Sequence, residues 1–101
     1  MSRRSQELCI APDHPALAGH FPGTPIVPGV MLLDEVLHAL QLLTPTPISQ
    51  WHIAAVKFHR VVRPNEPLQL TLEPPSDGAT QFELRRGEQL IASGSVAPNV
   101  P

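Results

Sequence analysis

At 101 residues, 42% apolar and a formal net charge of −2 at pH 7, the chain has the material for one ordinary globular domain, residues 1–101, and none for a second core. Its seven Lys and Arg form no long run, which leaves no electrostatic footprint for nucleic acid. The lone Cys9 excludes an internal disulfide, the start MSRRSQELCI lacks the apolar segment of a signal peptide, and no apolar run is long enough to span a bilayer, so a soluble, cytoplasmic protein with no membrane partner is expected.

In chain order, residues 6–10 have the pattern of a short strand, and a proline-rich loop follows over residues 11–28. Residues 30–43, VMLLDEVLHALQLL, are predicted to be helical from their length and their Leu, Ala, Glu and Met content. Pro28 stands at the entrance, and Thr44-Pro45-Thr46-Pro47 stops the helix. Beyond it the period changes to that of strands, at 51–60, 68–73, 80–86 and 89–96, separated by the turn signals Arg63-Pro64-Asn65, Pro75-Ser76-Asp77-Gly78 and Arg86-Gly87-Glu88. One helix followed by an antiparallel meander is an α+β arrangement.

Ten of the fourteen helix residues are apolar and surround the axis, a pattern expected of a helix covered on most sides. A sheet of short strands covers one side. Apolar surface from Leu32, Val36 and Leu40 is therefore expected to meet a second copy of the chain, giving a homodimer, unless the sheet curls around the helix alone.

The polar residues of this helix are few. Asp34, His38 and Gln41 fall on one narrow stripe, with Glu35 on an adjoining face. Asp34 sits about one turn inside the helix, where the dipole favours its ionised form and apolar neighbours the neutral one. Taken alone, it is read equally as a residue bonding free helix-start amides, as a partner for His38, or as a reactive acid.

The preceding loop, GHFPGTPIVPGV, combines rigid and permissive residues around one histidine. His20-Phe21-Pro22-Gly23, Pro25, Pro28-Gly29-Val30 and Asp34 together resemble the signature of the β-hydroxyacyl-acyl carrier protein dehydratases of fatty-acid synthesis. In that family a histidine in an HFP segment precedes a PxxPG segment and, fourteen positions later, an acidic residue; Asp34 at that place is similar to the FabA branch, where FabZ has Glu. Lys57-Phe58-His59-Arg60-Val61-Val62-Arg63-Pro64 and Ala92-Ser93-Gly94 resemble later strands of the same proteins.

The resemblance implies a hotdog fold, an antiparallel sheet wrapped around one long central helix, acting as a dimer or a multiple of dimers. It also implies catalysis without cofactor or metal, by His20 of one subunit and Asp34 of another. A 3-hydroxyacyl group on an acyl carrier protein would lose water to give the trans-2-enoyl thioester. His20 would take the α-proton, Asp34 would supply a proton to the hydroxyl, and Gly29 would offer its backbone N–H to the thioester carbonyl. Phe21, Val30 and His38 would line the substrate site. Restrained by its prolines, the loop would hold His20 in place before substrate arrives.

Two departures stand out. His38 occupies a position where the fatty-acid enzymes usually have glutamine, and there is little sequence ahead of the first strand. Short forms of this fold serve accessory acyl-chain pathways such as aryl-polyene pigment synthesis, some with a second hotdog subunit. The alternative function is thus a non-catalytic hotdog subunit that binds acyl chains or completes a heterodimer; a thioesterase on the same fold would lack the HFP to PG arrangement.

Other residues have plainer readings. His14 and His20 are not accompanied by a metal-ligand cluster. Cys9 is expected to be a packing residue and Trp51 a core, interface or acyl-tunnel residue, with His52 and His59 on a solvated strand face. Lys57, Arg60 and Arg63 are either a docking patch for an acidic carrier or scattered solvated charges. Arg85 and Arg86 are expected to keep a sheet edge soluble.

Overall fold

The computed structural model describes residues 3–11, 26–45, 47–73 and 78–99. These form strand β1 (Arg4–Leu8), helix α1 (Gly29–Gln41), a 3-10 turn (Ile48–Gln50) and strands β2 (Trp51–Phe58), β3 (Leu68–Leu72), β4 (Thr80–Arg86) and β5 (Gln89–Pro98). In LQLTL the leucines alternate with polar residues, and Leu68, Leu70 and Leu72 all point into the core; Thr80, Phe82 and Leu84 of β4 do the same. Opposite them, α1 contributes Met31, Leu32, Val36, Ala39 and Leu40, while β5 adds Ile91, Ala92 and Val96. The helix thus lies against one face of the sheet.

All strand pairs are antiparallel, in the order β1-β3-β4-β5-β2. Only β3-β4-β5 is a meander; β2 does not pair with the next strand in sequence but lies beyond β5, at the far edge. Gly94 makes that pairing possible, because a Cβ there would stand 2.3 Å from the Ala55 carbonyl oxygen. The β2–β5 register shifts at that point, between Ile53 and Ala55. The chain returns from β2 through Val62, which is buried and accepts the Val27 N–H at 2.7 Å, tying the return segment to the start of the helix.

Three expectations are corrected here. Leu32, Val36 and Leu40 are 2%, 0% and 1% exposed within the chain's own core, so they leave no apolar surface for another copy. The open face of α1 consists of Val30, Asp34 and His38, continued by Leu42 just past its end, spaced four apart along one stripe. A count of apolar residues around the axis could not tell which side the sheet takes. Cys9 lies past the end of β1 and is exposed, its Sγ 3.8 Å from Asn65 Oδ1. Arg85 and Arg86 guard no edge, since β4 is an interior strand; they pair with Glu83 and Glu66.

The β2 edge is where apolar surface remains open. Its register sets Ile53, Val56 and Phe58 opposite Val96, Gly94 and Ala92, on the same side of the sheet as the helix. All three are nevertheless exposed, so α1 meets only the end of this strand and leaves most of its face open. The other edge strand, β1, carries Arg4, Ser5, Gln6 and Glu7, a polar edge that discourages pairing.

Candidate active site

The helix begins abruptly. Pro28, extended at φ −60° and ψ 143°, precedes the first turn, and no side chain caps the helix. Met31 donates back to the Pro28 carbonyl at 3.0 Å, whereas the Gly29 amide, first in the helix, has no acceptor within it. An uncapped helix start presents N–H donors and the positive end of the dipole together.

Beside it a groove of about 530 Å³ opens, lined by Ile26, Pro28, Gly29, Leu32, Phe58 and Arg60 among others. The Phe58 ring closes on Gly29 so tightly that a Cβ on this glycine would meet Cζ at 2.8 Å and Cε2 at 3.0 Å. A side chain at position 29 would therefore have to push the Phe58 ring aside, a reason for glycine there that is independent of any substrate. Phe58 is the site residue whose role sequence reasoning missed: it stands in the 57–64 segment that resembles a later strand of the dehydratases, but nothing in the local pattern of either segment links positions 29 and 58.

Asp34 is exposed on the open stripe of α1, just over one turn from Gly29, with Val30 before it and His38 one turn further, both exposed. Among the described residues neither Asp34 nor His38 has a hydrogen bond or ion pair, so Asp34 neither caps the helix start nor pairs with His38. Gln41, placed on the same stripe by sequence, is half-buried and donates through Nε2 to the Thr44 carbonyl at 3.3 Å. Glu35 and His38 border a second depression of about 300 Å³ with Gln6, Ala39 and Leu42. His20 and Phe21 lie outside the described residues. Of the predicted site, the structure thus brings Gly29, Val30, Asp34 and His38 onto one end and one face of the helix.

The basic residues diverge. Lys57 lies opposite Ser93 and so faces away from the helix, while Arg60 borders the groove. At Arg63 it is the backbone N–H that is engaged, donating to Glu66 Oε1 at 2.7 Å, while the residue itself is exposed; the same oxygen accepts from Arg86 at 2.8 Å. The Arg63 amide first, and the charge of Arg86 with it, hold the Glu66 carboxyl below its ordinary range. Trp51 is half-buried and packs against the core. His52 and His59 are exposed, as expected, and bond Asn99 and Ser93. Among the described residues no three His, Cys, Asp or Glu converge as metal ligands.

A family model described as ApeI-like, ApeI dehydratase, matches residues 2–95. The chain belongs to the ApeI-like dehydratase family. It is 32% identical over 94 residues to the 3-hydroxyacyl-[acyl-carrier-protein] dehydratase FabZ of Lactobacillus helveticus, a match covering 82% of this chain and 64% of that one. It therefore spans less than two thirds of the length of that curated relative. Among solved structures, the ApeI:P dehydratase heterocomplex from Xenorhabdus doucetiae matches at a TM-score of 0.76 and 25% identity, over 95% of this chain and 86% of the other. The dehydratase domain of PpsC from Mycobacterium tuberculosis, in complex with C12:1-CoA, matches at a TM-score of 0.80 and 22% identity, over 98% and 39%. The hotdog fold expected from the HFP to PG segment is the fold of this family member.

Proposed function

We propose that this protein is a 3-hydroxyacyl thioester dehydratase, acting on an acyl group held by an acyl carrier protein and giving the trans-2-enoyl thioester in fatty-acid or polyene-type chain synthesis. The observation that carries the reading is the place of Asp34: a carboxyl with no partner among the described residues, on the open face of α1 and about one turn from an uncapped helix start that borders an apolar groove.

Elimination needs a base at the α-carbon, an acid at the departing hydroxyl and a donor at the thioester carbonyl. In the proposed roles, His20 takes the α-proton and the C–H electrons form the new double bond. The β C–O bond breaks as Asp34 gives its proton to the leaving oxygen, which departs as water. The Gly29 N–H donates to the carbonyl oxygen, which gains negative charge as the α-proton leaves. Phe21, Val30 and His38 border the chain. Neither a cofactor nor a metal is required by these steps.

The site is proposed to form between two hotdog chains, His20 from one and Asp34 from the other. Exposed Ile53 and Val56 on β2, with the open stripe of α1, support this assembly; a homodimer in the cytoplasm is the simplest form. A second reading, a subunit that completes a heterodimer, is favoured by one observation, the likeness to a chain of the ApeI:P heterocomplex.

Mass spectrometry of 3-hydroxyacyl thioesters on carrier protein and on pantetheine, with wild type, His20→Ala and Asp34→Asn, separates the two readings. Enoyl product from wild type and its loss in both variants is the result expected of the dehydratase. No product from folded wild type across short, long and aryl chains would sink it in favour of the partner subunit.

A further inference from the structure

We propose that Phe58 is a specificity-determining residue: its ring walls the groove beside the Gly29 amide and refuses acyl chains branched at the carbon next to the thioester. The proposal rests on the acyl-thioester reading above and deepens it.

Three facts lead there. Phe58 ends β2 on the helix side of the sheet, and the tip of its ring stands over Gly29, with Cζ, Cε2 and Cε1 at 2.8, 3.0 and 3.1 Å from the place of a Cβ. The ring is 44% exposed, so one side presses on the helix start while the rest borders the groove. The first helical amide, the proposed carbonyl donor, belongs to the same glycine.

A carbonyl accepting from that amide brings its α-carbon within reach of the ring. With two hydrogens on that carbon the chain can pass along the ring toward Leu32 and Val61; a methyl must displace Phe58, which has Gly29 behind it. The wall is aromatic and stiff, with two torsions, so it gives less than an aliphatic one would. Straight and planar unsaturated chains are the class this slot admits, and 2-methyl-branched chains the class it excludes.

The experiment compares unbranched and 2-methyl 3-hydroxyacyl pantetheine thioesters in competition, with wild type, Phe58→Leu and Phe58→Ala. The expected result is that the preference of wild type for the unbranched chain, read as a ratio of kcat/KM values, falls about tenfold in Phe58→Ala, with Phe58→Leu between, as the removal of a steric clash worth one methyl group predicts. Amide-linked 2-methyl and unbranched analogues that cannot eliminate water are titrated alongside. A change of binding preference in Phe58→Ala, seen even if wild type turns nothing over, sustains this proposal while the dehydratase reading fails. The proposal is overturned by an equal loss on both substrates, by an unchanged preference among the analogues, or by failure of wild type to bind either analogue. Dissociation of the assembly in Phe58→Ala and Phe58→Leu with preference unchanged would overturn it too, and make Phe58 an interface residue.

Discussion

Asp34 and Gly29 bear their constraints in opposite ways. Asp34 is exposed and has no hydrogen bond or ion pair among the described residues, so Asp34→Asn is expected to leave the melting temperature unchanged while turnover falls by roughly 100-fold or more, the usual weight of a positioned acid. Gly29→Ala is expected to lower both, because the new methyl runs into the Phe58 ring; thermal melts of Gly29→Ala and of Gly29→Ala with Phe58→Leu check this, the double variant recovering part of the loss. Thr80 offers a third test. Its side chain is fully buried and its hydroxyl has no partner, so Thr80→Val is expected to raise stability by up to about 1 kcal/mol in a denaturant titration. The resemblance to the dehydratase signature singles out Asp34 in the sequence. That it has no partner among the described residues did not show there, because a helix position says which face a side chain takes and not what covers that face.

At the scale of elements, one carboxylate adds a side-chain tie to the segment between β2 and β3, which backbone hydrogen bonds also hold. Glu66 accepts from the Arg63 amide and from Arg86, and Arg86 also donates to the Val61 carbonyl, so β4 holds the return of the chain toward the helix start. The folded carboxyl titrates below its ordinary value of 4.5, so its contribution is whole above that value and is lost as pH falls through the lowered folded value. Glu66→Gln is therefore expected to be less stable than wild type near neutrality, by about 1 kcal/mol, with the difference shrinking on acidification below pH ~4.5; urea titrations along a pH series measure it. The strands themselves were legible from period and turn signals, LQLTL most clearly, within two residues or so at their ends. Their order was not. Whether β2 pairs with β3 or with β5 depends on Gly94 admitting the Ala55 carbonyl, a contact between residues about forty apart that no local pattern records.

For the whole molecule, the decisive feature is a sheet with one polar edge and one bare edge. β1 closes its side with Arg, Ser, Gln and Glu; β2 leaves Ile53, Val56 and Phe58 open toward the side where the helix also turns Val30, Asp34 and His38 outward. A long unprotected edge with an apolar face asks for another strand. Val56→Lys is accordingly expected to give monomers that keep their far-ultraviolet dichroism and lose turnover, as read by light scattering after size exclusion; a dimeric and active Val56→Lys would move the interface elsewhere. The sequence argument for a partner rested on Leu32, Val36 and Leu40, which are the chain's own core; the apolar surface that stays open belongs to β2.

The most direct test of a site shared between two chains is to mix inactive variants. His20→Ala and Asp34→Asn, each purified, unfolded together and refolded as a mixture, should recover about a quarter of wild-type turnover, because half of the dimers are then mixed and each mixed dimer holds one intact His20–Asp34 site of two. Absence of any recovery, with mixed dimers demonstrated by mass, would contradict the account.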